Sequence, residues 1–240
     1  MNASIKADKV KAQREWSPLD AIGLLLVAQI VALLWGASTI SAIYPDPAEK
    51  PELIPVPTLM LANLGLWAGY LLLPILLARS RAADVLALNR FKAKPIDVAW
   101  GLVAGVALQL GVLNALYWFI LKIVDGDPSA AAQSLYDSID SPFQAVLFVL
   151  SVVVVAPFIE EWFYRGVMLR GLNSAFGPVV AVLVTSVVFT AVHQSLVQAP
   201  GLFVFSVVVS VMAIKTGRLG MSWFAHAAFN GATVVVLALG

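Results

Sequence analysis

Long apolar stretches dominate the chain, and short polar connectors rich in proline, glycine and aspartate separate them. A helix needs about 20 mostly apolar residues to cross the hydrocarbon core of a bilayer. Seven stretches come close to or exceed this length, the fourth being long and the fifth and sixth short: 19–43, 58–78, 98–124, 142–171, 178–195, 201–215 and 219–239. The pattern therefore predicts an all-α protein, a polytopic transmembrane helical bundle with about seven spans.

Composition excludes a soluble globular protein. Hydrophobic residues make up 60% of the chain and charged residues 12%, whereas a soluble domain carries about 25% charged residues. We expect a polar N-terminal tail over residues 1–17 and one membrane domain over residues 18–240, with the lipid bilayer as a partner and no nucleic acid. The absence of cysteine excludes disulfides, thiolate metal ligands and a cysteine nucleophile.

The distribution of basic residues predicts the orientation. With the N-terminus in the cytoplasm, all of the 15 lysines and arginines except Lys50 and Lys122 fall on the inner side. Basic residues concentrate in cytoplasmic connectors, so the bias predicts an N-in, C-out topology. The basic and partly apolar segment 79–97 is then either a surface-lying segment or a plain loop.

Four ionisable residues lie within apolar stretches, and Arg165 accompanies them: Glu160, Glu161, His193 and His226. Burial of such groups in a bilayer costs at least a few kcal/mol each, so they usually face a partner or a wet cavity and mark a functional site. The alternative is structural: two hydrogen-bonded histidines and an acidic pair at the end of a helix.

Helical spacing separates the two glutamates. Glu161 and Arg165 are four residues apart and can form an ion pair, whereas Glu160 points about 100° away and has no basic residue three or four positions from it. Pro157 lacks a backbone donor and can kink this helix, which frees carbonyl groups for a polar cavity.

Two further pairs repeat the four-residue spacing. His226 and Asn230 share one face of the last span, where Asn230 can stabilise an oxyanion or serve in helix–helix packing. Phe189 and His193 have the same spacing in the fifth span, which by itself is typical of packing.

Taken in order, these motifs resemble the signature of the CaaX protease and bacteriocin-processing enzyme (CPBP, or Abi) family of intramembrane proteases: Glu160-Glu161-x-x-x-Arg165, Phe189-x-x-x-His193 and His226-x-x-x-Asn230. The resemblance covers residues 142–240 and implies that this segment is the catalytic core. It also implies peptide-bond hydrolysis in a cavity reached from the cytoplasmic side of a bacterial plasma membrane. The implied roles are Glu160 as the base that activates water, His193 as its assistant, and His226 with Asn230 as the oxyanion site.

The metal dependence stays open, and no cofactor is assigned. Glu160, His193 and His226 are an acceptable set of zinc ligands that leaves a fourth position for water. A buried carboxylate can equally act as a base without metal. Glu160 cannot easily be both ligand and base, and Glu161 is expected to pair with Arg165, so we favour the reaction without metal.

The favoured function is therefore an intramembrane endopeptidase acting on a membrane-associated peptide or protein, lipidated or not. A non-catalytic scaffold or immunity protein could use the same cavity to bind a partner. A small proton-coupled transporter is a further alternative, but it would be expected to contain inverted repeats, and none is evident in the sequence.

The orientation can be tested by single-cysteine labelling, because the chain contains no cysteine of its own. Cysteines that replace Ala48 or Ser129 should react with a membrane-impermeant reagent on intact cells, whereas one that replaces Ala93 should react only after permeabilisation. Labelling of the Ala93 position from outside would contradict the N-in orientation.

Overall fold

The computed structural model describes residues 15–239, and all of the regular secondary structure in this range is helical. Residues 1–14, most of the expected N-terminal tail, lie outside the described range. The helices are α1 (Pro18–Ile43), α2 (Val56–Ser80), α3 (Val85–Asn89), α4 (Pro95–Ile120), α5 (Ala130–Asp137), α6 (142–176), α7 (178–191), α8 (Ala199–Thr216) and α9 (Gly220–Leu239), with a 3₁₀ turn at Pro47–Glu49. The predicted polytopic helical bundle is confirmed.

Six helices in the described part of the chain are long and apolar enough to cross a membrane. One of them, Pro142–Ala191, is 50 residues long and bends at Gly177, whose φ of 77° and ψ of 171° are not helical. The bend separates α6 from α7, as the predicted spans 142–171 and 178–195 require. α7 extends only about 21 Å at 1.5 Å per residue, less than the roughly 30 Å of a hydrocarbon core. The number of spans and their orientation therefore stay predictions.

The starts of α1 and α6 follow from local sequence. The Ser17 hydroxyl accepts a hydrogen bond from the backbone N–H of Asp20, whose carboxylate in turn accepts from the Ser17 backbone. This reciprocal cap satisfies two donors that a helix start leaves open. Pro18 and Pro142 occupy the first helical position, where the missing N–H costs nothing, and Ser141 caps α6.

Two ion pairs tie helix ends together on the side predicted to be cytoplasmic. Arg81 donates to the Asp20 carboxylate at 2.8 Å and joins the end of α2 to the start of α1. Arg218 donates to the buried Asp97 carboxylate at 2.6 Å and joins the turn between α8 and α9 to the start of α4. The hydrogen bond to Asp97 raises the pKa of Arg218 above its ordinary value.

The segment 79–97 is anchored to the bundle rather than being a plain loop. Its short helix α3 ends at Asn89, which is fully buried. The Asn89 side chain accepts a hydrogen bond from the Trp16 indole at 2.7 Å and donates to the Trp162 carbonyl at 3.2 Å. This segment therefore packs against the part of α6 that carries the two adjacent glutamates.

Close helix contacts depend on glycines spaced four residues apart. A Cβ atom at Gly101 would lie 2.7 Å from the Phe224 Cβ atom, and one at Gly105 would overlap the Ala225 carbonyl oxygen. α4 can therefore approach the backbone of α9 because it presents no side chains there, as in other Gly-x-x-x-Gly contacts of membrane helices. This contact holds the last helix, with His226, in place.

Replacement of Gly105 by alanine should destabilise the protein, because the new methyl group would push α4 away from α9. We expect a loss of about 1–3 kcal/mol, as for other overpacked cores, measured as a lower Tm in detergent. Gly111→Ala on the same helix is the matched control, since no heavy atom lies within 4 Å of its Cβ position. Equal Tm values for the two variants would contradict the close packing.

Candidate active site

A buried carboxylate, that of Glu161, forms the centre of the site. Its Oε1 atom accepts a hydrogen bond from Arg165 Nη1 at 2.7 Å and lies 3.0 Å from His226 Nδ1. A carboxylate can only accept, so His226 Nδ1 carries the hydrogen, and His226 Nε2 is left to face the other way. Glu161 thereby fixes both the orientation and the tautomer of a histidine on another helix.

Arg165 is completely buried, and its other two nitrogen atoms also donate hydrogen bonds. Nη2 donates to the Ser206 hydroxyl at 2.8 Å, and Nε donates to the Ser210 hydroxyl at 3.4 Å. The guanidinium also lies over the Phe189 ring, 4.7 Å from its centroid, a favourable cation–π position. The arginine therefore links α6 to α7 and α8 while it neutralises Glu161.

Glu160 has a different environment from its neighbour. Its side chain is 22% exposed, against 1% for Glu161. Its Oε2 atom lies 3.7 Å from His226 Nε2, beyond hydrogen-bonding distance, so a small shift or a water molecule could join the two. His226 thus stands between the adjacent glutamates, hydrogen-bonded to one and facing the other.

His193 lies just beyond the end of α7, on an exposed turn. Its Nδ1 atom lies 2.7 Å from the Phe189 carbonyl oxygen. A carbonyl can only accept, so Nδ1 carries the hydrogen and a neutral His193 presents Nε2 as an acceptor. The spacing of Phe189 and His193 is therefore more than packing, because the Phe189 backbone sets the tautomer of the histidine.

Asn230 is held by a defect in α6. Residues 150–155 wind as a π-helix, and the N–H of Ala156 bonds to the carbonyl five residues before it. The next bond in this register would join Pro157 to Val152, but proline has no N–H. The Asn230 side chain donates to the Val152 carbonyl instead, at 2.9 Å. One amide hydrogen of Asn230 is thus committed to the backbone of α6.

A cavity of about 190 Å³ opens beside Glu160 and His193. Its wall also includes side chains from α1 and α2, far from the motifs in sequence. The lining residues are Gln29, Leu66, Tyr70, Glu160, Tyr164, Val192 and His193. Sequence reasoning missed Gln29, Tyr70 and Tyr164, because isolated polar groups in apolar helices give no motif. The structure thus brings Glu160 and His193 to one cavity, with His226 facing Glu160 and Asn230 one turn further along α9.

The three candidate zinc ligands Glu160, His193 and His226 do not form a metal site as they stand. No group of three histidine, aspartate or glutamate side chains in residues 15–239 is arranged to hold a metal ion. The Nδ1 atoms of both histidines are already hydrogen-bonded, to Phe189 and to Glu161. Zinc ligation would need the free Nε2 atoms to converge with the Glu160 carboxylate.

Residues 142–232 match the family model described as type II CAAX prenyl endopeptidase Rce1-like. Over this segment the chain is similar to that family. The match confirms the resemblance to CaaX proteases, and the Rce1-like segment contains Glu160, Glu161, Arg165, His193, His226 and Asn230. A search of curated proteins and a search of solved structures each give no match. The six long apolar helices among residues 15–239 and the similarity to a family of membrane proteases together identify the chain as an integral membrane protein.

The link between Pro157 and Asn230 predicts a rescue. Asn230→Ala should lower the Tm because it leaves the partly buried Val152 carbonyl without a donor, a loss of about 1–3 kcal/mol. The Pro157→Ala change restores a backbone N–H at residue 157, so Asn230→Ala should cost much less in the Pro157→Ala protein. The measurement is the Tm of the four proteins of this cycle in detergent. A cost of Asn230→Ala that is independent of residue 157 would contradict the role of Asn230 as a substitute donor.

Proposed function

We propose that the protein is an intramembrane endopeptidase that hydrolyses peptide bonds by means of a water molecule activated by Glu160. The observation that carries this proposal is the difference between the two adjacent glutamates. Glu161 is buried and neutralised by Arg165, whereas Glu160 is partly exposed and faces a cavity. An acceptor that is not neutralised and can reach water is what a general base requires. The Rce1-like segment supports the assignment to peptide hydrolysis.

In the proposed reaction, a water molecule donates hydrogen bonds to the Glu160 carboxylate and to Nε2 of His193, both of which accept. The water oxygen attacks the carbonyl carbon of the substrate while Glu160 takes one proton. The new C–O bond forms as the C=O π bond breaks, giving a tetrahedral oxyanion. The oxyanion then re-forms the C=O bond as the C–N bond breaks, and Glu160 returns the proton to the leaving amine nitrogen and becomes a carboxylate again.

The oxyanion needs donors that are already in place before the reaction. We assign this role to His226, through Nε2 when that atom is protonated, and to the second amide hydrogen of Asn230. His226 is already fixed through Nδ1 by Glu161, and Asn230 is fixed through its first amide hydrogen by the Val152 carbonyl. Little reorganisation is then needed when the charge develops.

The substrate in this proposal is a membrane-associated peptide or protein that reaches the cavity from the cytoplasmic side of a bacterial plasma membrane. The family description favours a peptide that ends in a prenylated CaaX sequence, and this peptide is the first reporter to test. Comparison of membrane peptides by mass spectrometry, from cells that carry the wild-type protein or Glu160→Gln, would identify natural substrates.

The roles of the two glutamates predict that matched substitutions will differ in their effect on stability. Glu160→Gln should lower the cleavage rate of the reporter peptide by orders of magnitude with a nearly unchanged Tm, because glutamine fits the site but cannot accept a proton. Glu161→Gln should lower both the cleavage rate and the Tm, because the buried Arg165 would lose its partner at a cost of about 3–5 kcal/mol. Adding Arg165→Met should recover part of that stability.

An active Glu160→Gln protein beside a stable, inactive Glu161→Gln protein would show that the roles are reversed. A Glu160→Gln protein that keeps the cellular phenotype of the wild type without cleaving the reporter would favour the scaffold alternative. The same reporter assay tests the metal: cleavage should persist after strong chelation. Loss of cleavage that returns on addition of zinc would contradict the reaction without metal.

A further inference from the structure

Tyr70 and Tyr164, here called the tyrosine pair, form a part of the cavity wall that has no role in the reaction above. Their hydroxyl oxygens lie 2.6 Å apart, and Gln29 Nε2 donates to the Tyr70 hydroxyl at 2.7 Å. Both side chains are only 1% exposed. Gln29 and Tyr70 belong to α1 and α2, outside the Rce1-like segment.

Packing holds both rings in fixed positions. Tyr70 stacks on Phe163 with ring centroids 4.3 Å apart. Tyr164 meets Tyr70 and Phe189 edge to face, with centroids 5.4 and 5.1 Å apart. The hydroxyl groups therefore cannot turn away to find other partners without moving the rings.

The tyrosine pair has one more phenolic hydrogen than its own hydrogen bonds use. The pair has two phenolic hydrogens, and one of them forms the bond between the two oxygens. The other cannot bond to Gln29, because Gln29 already donates to Tyr70 there. Whichever tyrosine donates to the other, one phenolic hydrogen is left over. The cavity that both residues line is the space into which it can point.

This spare hydrogen complements the other polar groups of the cavity. The Glu160 carboxylate and Nε2 of a neutral His193 are acceptors, suited to the hydrogens of water. A peptide main chain also presents carbonyl oxygens, which need donors. A donor fixed in a buried wall binds more strongly than one that water can reach, and a buried carbonyl left without a donor is costly.

We propose that the tyrosine pair donates this hydrogen to a main-chain carbonyl of the bound peptide and so positions the substrate beside Glu160. The inference rests on the proposed function. It makes the N-terminal helices part of the substrate-binding site, through Tyr70 directly and through Gln29, which donates to the Tyr70 hydroxyl and so leaves its hydrogen free for another acceptor.

The test is a double-mutant cycle with Tyr70→Phe and Tyr164→Phe. Either single change removes one hydroxyl and leaves the other free to donate to the cavity, whereas the double change leaves no phenolic donor. Because non-additivity reports coupling between neighbours, the pattern separates a donor shared by the pair from a purely structural bond. Tyr136→Phe, which removes a hydroxyl on α5 away from the cavity, is the control.

The measurements are KM and kcat for the prenylated CaaX reporter peptide. In a Glu160→Gln background, the Kd of the same peptide is a readout that does not need hydrolysis. Each single variant should raise KM and Kd less than about threefold, and the double variant about tenfold or more, the value of one lost hydrogen bond. The kcat should change little, because a contact present in both ground state and transition state affects KM. The double variant should have a Tm close to that of the weaker single variant, since either single change already breaks the bond between the tyrosines.

A double variant no worse than either single one in KM and Kd would overturn the inference and leave the pair a structural contact. A fall in kcat with unchanged KM would also overturn it, because the hydroxyl would then act on the water. Failure of the proposed function would give a different result from failure of this inference. Peptide binding that depends on the pair, without cleavage by the wild-type protein, would contradict hydrolysis and support this inference. Cleavage by the wild-type protein, with a double variant that binds no worse than either single variant, would support hydrolysis and contradict this inference.

Discussion

The carboxylate of Glu161, buried within an apolar bundle, is the constraint on which the site depends. An isolated charge in such surroundings costs several kcal/mol, and a partner offsets that cost only if its geometry is good. Arg165 supplies the opposite charge, while its Nε and Nη2 atoms donate to Ser210 and Ser206. His226 Nδ1 donates a second hydrogen bond to the same Glu161 oxygen atom. Residues on α6, α8 and α9 are thus held together by one set of polar contacts, which no lipid-facing arrangement could replace.

This buried network explains how two adjacent residues of the same type can differ in chemistry. Glu160 and Glu161 are neighbours in the same apolar setting, but Glu161 has two donors, Arg165 and His226, both at its Oε1 atom. The Nε2 atom of His226 lies 3.7 Å from Glu160 Oε2. Glu161, which holds the other side of the ring, therefore also positions His226 beside Glu160. The neutralised glutamate and the glutamate that faces the cavity are therefore consecutive residues of α6.

The sequence allowed much of this arrangement to be predicted, for physical reasons that can be named. Apolar length set the helices close to their true bounds, and the four-residue spacing predicted the contact between Glu161 and Arg165. The hydrogen bond from Asn230 to Val152 was not predictable, because it requires the π-helical register before Pro157. The contribution of Tyr70 was missed for a different reason. A single tyrosine in an apolar run is indistinguishable from an anchor or a core residue until its neighbours across the bundle are known.

The short helix α7 has a consequence for the membrane itself. Its fourteen residues end at Ala191, and the chain then continues without a helix until α8 begins at Ala199. Backbone that is not helical can lie at this depth only where protein or water satisfies its polar groups. A helix about 9 Å shorter than the hydrocarbon layer favours local thinning of the bilayer around it. The lipid beside the turn that carries His193 would then form a shallow depression on the predicted outer side, opposite the proposed cytoplasmic route of the substrate.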